Sequence, residues 1–188
     1  GNRLGSSSMF KPDLSKFDIH NIKDKDFEKY KITQTLDIEC DTIENLLDDV
    51  KIKNLDYLKI DTQGAELDIL KGLGILRPLL IKVEAHIFSM YEGVPSWHNL
   101  LNYLYELNYV TVDWKGIGNH NSRVPAEMDM IFIPNFNNNN GKKIILDNKN
   151  RFISLMLIFG QLNILKVIMS RFNLNSQELE KFEDLYFN

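Results

Sequence analysis

The run YLKIDTQGAELDILKGLGILRPLLIKVEAHIF, residues 57–88, constrains the fold more than any other part of the chain. YLKIDT (57–62) alternates apolar and polar side chains as a half-buried strand does, Gly64 to Gly72 has apolar residues at helical spacing, and LLIKVEAHIF (79–88) returns to a strand pattern. Gly72, Gly74 and Pro78 stop the helix between them. A strand, a helix and a second strand so close together predict a βαβ unit, with parallel strands and a right-handed crossover.

The flanks extend this α/β pattern. KITQTLDIE (31–39) carries β-branched residues in rough alternation and predicts another strand; Asp41 or Thr42 then caps a short helix through Leu47, with Glu44 in its first turn. Leu100, Leu101, Leu104 and Leu107 form the apolar face of a helix expected from about Trp97 to Leu107. YVTVDW (109–114) and MDMIFIP (128–134) are the last strands, and with no helix between them they are expected to form an antiparallel hairpin. FNNNNGKK (136–143) is asparagine-rich and reads as a flexible connection, followed by helices at Phe152 to Phe172 and Ser176 to Phe187. The expected organisation is a polar segment at 1–29 with little regular structure, an α/β domain at 30–135, an asparagine-rich linker at 136–150 and a helical tail at 151–188 that covers the domain's flank.

Composition narrows the partners. A chain of 188 residues, 44% hydrophobic and 26% charged, can bury a substantial core. Its net charge of -4 and pI near 5.6 provide no basic field for a phosphate backbone, so no nucleic-acid partner is expected. The longest apolar stretch, Ile153 to Met169, is interrupted by Ser154, Gln161, Asn163 and Lys166, so no membrane span is expected. Cys40 has no cysteine partner and the first residues lack a signal-peptide pattern, which together point to the cytoplasm.

Chemistry concentrates at the strand ends. In doubly wound sheets, ligands bind beyond the carboxyl ends of the strands, where Asp61 and the set Lys82, Glu84 and His86 fall. Parallel strands in the register of these patterns put Asp61 beside Glu84, at a backbone separation of about 4.8 Å. Two carboxyls that close raise at least one pKa unless a cation intervenes, and the pair can act as a general base, hold a hydroxyl, or bind a metal with His86. Alternatively, Lys59 and Lys82 neutralise the acids as a structural network. Glu66 and Asp68 suit the first turn of a helix, and Gly64 permits a positive φ or a ligand's approach to the backbone. Tyr91, Trp97 and His98 surround a loop with Gly93 and Pro95 and are candidates to line a pocket, while His20 and His120 suggest nothing specific. The histidines lack HExxH spacing and no metal is expected; a metal enzyme using Asp61, Glu84 and His86 is a distant reading.

LKIDTQGAELDILKG resembles the hallmark segment of the FkbM-type methyltransferases, in which a Lys-Ile-Asp strand runs into Gly-Ala-Glu and a helix ending Leu-Lys-Gly. VEAHIFSMYEGVP is similar to the family's next strand and loop, MDMIFIP to its closing strand, and SSSMF at 6–10 to a serine-rich segment before them, so the likeness covers roughly residues 6–134. The resemblance implies a Rossmann-like class I fold, S-adenosylmethionine as cofactor, and methylation of a hydroxyl on a sugar or natural product, hence a small-molecule or glycan acceptor. It places Asp61, Gln63 and Gly64 with the cofactor, Asp61, Glu84 and His86 in catalysis, and Gln63, Glu66 and Tyr91 with the acceptor. One departure stands out: the strand and glycine-rich loop that normally open such a domain have no counterpart before Ile32. The expectation is therefore a domain incomplete at its N-terminus, holding strands three to seven, weak in cofactor binding and able to self-associate. The alternative is a non-catalytic binding or assembly module that keeps this half of the fold.

Overall fold

The structure, a computed structural model, describes residues 7–20, 22–117 and 126–174. Expectations for His120 and for a helix at Ser176 to Phe187 lie outside these residues. The elements are α1 (Ile43–Asp49), β1 (Tyr57–Ile60), α2 (Glu66–Lys71), β2 (Leu80–His86), α3 (Trp97–Glu106), β3 (Tyr109–Ile117), β4 (Glu127–Pro134), α4 (Asn139–Asp147), α5 (Lys149–Ile158) and α6 (Leu162–Arg171).

The four strands form one sheet in the order β1-β2-β4-β3. β1 and β2 are parallel, joined through α2 as the sequence predicts, and β4 inserts antiparallel between β2 and β3. The hairpin is therefore present, and its second strand is the one that meets β2. Ile60, Ile81, Val83, Ala85 and Phe132 pack with Leu70, Leu73, Leu100 and Leu104 of α2, α3 and the adjoining turn. Leu80, Ile131 and Ile133 pack instead with Ile145, Phe152, Met156, Leu165 and Ile168 of α4, α5 and α6. Strand alternation produces the two faces, since residues one apart point to opposite sides. The C-terminal helices thus complete the domain's second core.

The strand expected at 31–39 is absent. This segment is irregular, with Ile32, Leu36 and Ile38 exposed at 56%, 67% and 71%. Alternation alone does not make a strand, because its hydrogen bonds belong to a neighbour, and no described strand pairs with it. The helix after it does form: Thr42 caps α1 by accepting from the Asn45 amide at 3.2 Å. Glu44 in the first turn accepts from the amide of Ile75 at 2.9 Å and ties α1 to the turn beyond α2.

The asparagine-rich stretch is not a flexible connection, because its residues build α4. The Asn138 side chain accepts from Gly141 N at 2.8 Å and donates to Asn108 Oδ1 at 2.9 Å, so it caps the helix and anchors it to the end of α3. The helix expected over Phe152 to Phe172 is two, α5 and α6, broken at Gly160, whose φ of 69° ends the first. No described helix is long and apolar enough to cross a membrane.

The N-terminal segment has more order than its polarity predicts. Short 3-10 turns at Leu14–Lys16 and Asp24–Tyr30 bring Phe17, fully buried, and Phe27 and Tyr30 against Met90 and Tyr91. Asp13 N donates to Met90 O at 2.6 Å and Glu92 N to Lys11 O at 2.8 Å. This strap holds the loop after β2 against the turn after β1.

Candidate functional site

β1 ends at Ile60, and residues 61–65 turn the chain into α2 with Gln63 at φ 58° and Gly64 at φ 120°. The turn is fastened by Glu66, whose carboxylate accepts from Thr62 N and Thr62 Oγ1, both at 3.0 Å, and from Gly64 N at 3.0 and 3.1 Å. Burial opposes its charge, but His86 and these backbone donors outweigh burial and lower its pKa to about 2. Glu66 was expected to contact an acceptor as well as favour the helix start; its oxygens serve the turn. Asp68 is exposed and paired with Lys71 at 3.2 Å.

Asp61 and Glu84 are neighbours as predicted, since β1 and β2 pair Lys59 with Lys82 and Ile60 with Val83 immediately before them. Their environments then diverge. Asp61 is partly exposed and bonded to Lys59 Nζ at 2.8 Å, which holds its carboxyl below the usual range. The structural alternative therefore describes Asp61 well. It does not describe Glu84, because Lys82 reaches Asp129 across the sheet at 2.8 Å. Burial, with Glu127 and Asp61 close by, pushes the Glu84 carboxyl up to about 7.

Gln63 orients Glu84. Its Nε2 donates to Glu84 Oε2 at 2.9 Å, its Oε1 accepts from the Tyr91 hydroxyl at 3.2 Å, and its carbonyl accepts from the Ser8 hydroxyl at 2.6 Å. The amide's donor thus faces Glu84 and its acceptor faces Tyr91. Tyr91 is buried, and burial raises its hydroxyl pKa to about 12, so it acts as a donor that sets Gln63.

His86 differs most from expectation. Its side chain is only 2% exposed, with Nε2 3.8 Å from Glu66 and 3.9 Å from Glu84, and Nδ1 3.5 Å from Glu127. Burial alone would lower its pKa, but Glu127 and Glu66 outweigh burial and raise it to about 10. The flanking carboxylates thus favour the protonated ring over the neutral one. Glu127, overlooked in the sequence, arrives through the β2–β4 register, where it lies opposite His86. A signal was present in the two-residue spacing of Glu127 and Asp129 just before the apolar run of β4. Glu84, His86 and Glu127 each bring a ligand-type atom to within 4.8 Å of the others.

Gly64 also has a different use from a ligand's approach. Its amide is bonded to Glu66, and a Cβ there would stand 2.7 Å from Val94 Cγ2 and 2.9 Å from Phe10 Cδ2, so the protein's own side chains cover it. Trp97 lines a small cavity with Gly64, Glu66, Glu84, His86 and Val94, of about 10 Å³. His98 is exposed and shares a hydrogen bond with Ser96 Oγ at 3.0 Å, and His20 Nε2 lies 2.7 Å from the Phe88 carbonyl. A wider cleft of about 230 Å³ sits at the opposite, amino-terminal ends of β1 and β2, lined by Asp56, Arg77, Leu79 and Arg151.

S-adenosylmethionine, the implied cofactor, needs a site of several hundred cubic ångströms. The described residues do not fit a complete cradle for it: the space beside Glu84 holds about 10 Å³, and Gln63 and the Gly64 amide are engaged internally. No curated protein and no solved structure matches the chain. The family model described as Methyltransferase FkbM domain matches residues 4–111, more than half of the chain and including Gln63 in the turn, Glu66 at the start of α2, and Glu84 and His86 in β2, so the chain belongs to the FkbM methyltransferase family.

Proposed function

We propose that the protein takes part in S-adenosylmethionine-dependent methylation of a hydroxyl oxygen on a sugar or natural product, with Glu84 receiving the hydroxyl proton. The observation that carries this is the buried Glu84 carboxyl, oriented by Gln63 at the carboxyl end of the parallel strands, where burial beside Glu127 and Asp61 pushes it up to about 7. A hydroxyl becomes an effective nucleophile as it loses its proton, and a base that titrates near neutrality is well matched to accept it. Gln63 and Tyr91 aim the Glu84 carboxyl, and the His86 charge 3.9 Å away favours its ionised form. Asp61, held by Lys59, flanks the acceptor's approach. The cofactor supplies the methyl group when bound; no residue gathered here is assigned a step on it.

The strand order supports a Rossmann-like class I sheet, with parallel β1 and β2 followed by antiparallel β4. The same reading takes the chain as cytoplasmic, with a small-molecule or glycan acceptor and no nucleic-acid partner. The small cavity and the engaged Gln63 and Gly64 favour a second reading, a non-catalytic binding or assembly module.

Transfer of labelled methyl from S-adenosylmethionine to a panel of sugar and natural-product hydroxyls separates the two. Activity that rises with pH through about 7 and falls about 100-fold or more in Glu84→Gln supports catalysis through Glu84. Full activity in that variant removes Glu84 as the base, and a wild-type chain that transfers no label across the panel favours the module.

A further inference from the structure

We infer that Glu84, His86 and Glu127 form a binding site for a single divalent transition-metal ion. The starting observation is a buried histidine whose two ring nitrogens both lack a hydrogen-bond partner, as does Oε1 of the facing Glu127. Buried polar atoms are nearly always satisfied, so a ring with neither nitrogen bonded calls for an explanation. Glu84 Oε2 stands 3.9 Å from Nε2 and Glu127 Oε1 3.5 Å from Nδ1, without a hydrogen bond to either nitrogen, and one ligand-type atom from each of the three residues lies within 4.8 Å of the others. Two ligands each about 2.1 Å from a tetrahedral ion lie roughly 3.4 Å apart, so an ion on one ring nitrogen requires the carboxylate that now faces the other nitrogen to swing toward it, over a spacing that starts within 4.8 Å.

The choice among the acids follows from their other bonds. Glu66 has its oxygens engaged by Thr62 and Gly64, and Asp61 is held outward by Lys59. Glu84 keeps an outer partner in Gln63, the kind of support that orients a metal-bound carboxylate. One imidazole nitrogen with two carboxylates suits zinc, manganese, iron or cobalt, whereas calcium and magnesium prefer oxygen alone. The adjoining cavity of about 10 Å³ accommodates one water-sized ligand at an open position. His86 binds as neutral imidazole, so its ring proton leaves to solvent as the ion enters.

The inference is separate from methyl transfer, because ion binding is read without turnover. With the ion present Glu84 is a ligand, and an oxygen in the open position is acidified by the ion itself. If no ion binds, Glu84 remains available as the base; if Glu84→Gln keeps full activity, the base is lost while the ion site stands.

The test is calorimetric titration of the EDTA-treated chain with Zn²⁺, and with Co²⁺ followed by visible absorption. One ion per chain is expected, with affinity falling at least about 100-fold in Glu127→Gln and changing less than about twofold in Asp68→Asn, an exposed acid paired with Lys71. Circular dichroism checks that each variant is folded. Should Glu127→Gln not fold, long-range ¹H–¹⁵N spectra of the wild-type imidazoles decide, because Zn²⁺ must shift the ring nitrogens of His86. Absence of stoichiometric binding, unaltered affinity in folded Glu127→Gln, or an unmoved His86 ring overturns the assignment.

Discussion

Replacing Glu66 by Gln tests the electrostatics of the site without reference to turnover. The carboxylate is almost fully buried and accepts from Thr62 N, Thr62 Oγ1 and Gly64 N, while His86 stands 3.8 Å away. An amide of the same shape keeps one acceptor, turns an NH₂ toward the donors and removes the charge facing His86. Lowering a carboxyl from 4.5 to about 2 corresponds to about 3 kcal/mol in favour of the charged form. Breaking a buried ion pair costs about 3 to 5 kcal/mol, which agrees. A loss of about 3 kcal/mol lowers the melting temperature of a chain this long by about 6 to 12 °C.

The pH dependence gives the prediction its sign. Glu66 has a depressed folded-state pKa, so its contribution is present above pH 4.5 and disappears as pH falls toward about 2. His86 has a raised one, so its contribution is present below pH 6.5 and disappears as pH rises toward about 10. The Glu66→Gln deficit should therefore be largest between about pH 5 and 6.5 and shrink on either side. Glu84 behaves oppositely: its raised pKa costs stability as pH rises from 4.5 to about 7, so Glu84→Gln should be more stable than wild type at pH 8, by about 1 to 3 kcal/mol. Urea denaturation at pH 3, 6 and 8 reads all three. A Glu66→Gln protein within about 0.5 kcal/mol of wild type at pH 6, or a Glu84→Gln protein that is less stable at pH 8, would refute the charge assignment.

Two further predictions concern the fold. In Gly141→Ala the new Cβ would lie 2.1 Å from the Asn135 carbonyl oxygen, a backbone atom that cannot swing aside, so α4 must shift at a cost of about 3 kcal/mol; a urea midpoint equal to wild type would show that the helix is not packed this closely. Tyr109 is buried and donates to the Pro78 carbonyl at 2.6 Å, so Tyr109→Phe should lose about 1 to 3 kcal/mol in the same assay, and an unchanged midpoint would mean that the carbonyl finds another donor.

Local pattern determined a good deal of this protein. Strand-like patterns placed β1, β2, β3 and β4, and helical spacing placed α2 and α3, because those segments bury faces that their own residues define. A cap at Asp41 or Thr42, of which Thr42 is the one used, the hairpin and the adjacency of Asp61 and Glu84 were legible for the same reason. Tertiary structure decided what depends on neighbours distant in the chain. Residues 31–39 alternate without a partner and form no strand, while the asparagine run becomes a helix because Asn138 can reach both Gly141 and Asn108. Lys82 passes to Asp129 and leaves Glu84 without that cation; Glu127 reaches His86 only through the antiparallel register of β4. Alternation tells which side chains share a face of one strand, but charge state depends on burial and on every charge within a few ångströms, and those are set by strands distant in the sequence. The sequence therefore placed Glu84 and His86 on one face of one strand, and only the folded sheet gave them different surroundings: burial beside Glu127 and Asp61 pushes the Glu84 carboxyl up, while Glu127 and Glu66 favour the protonated His86 ring.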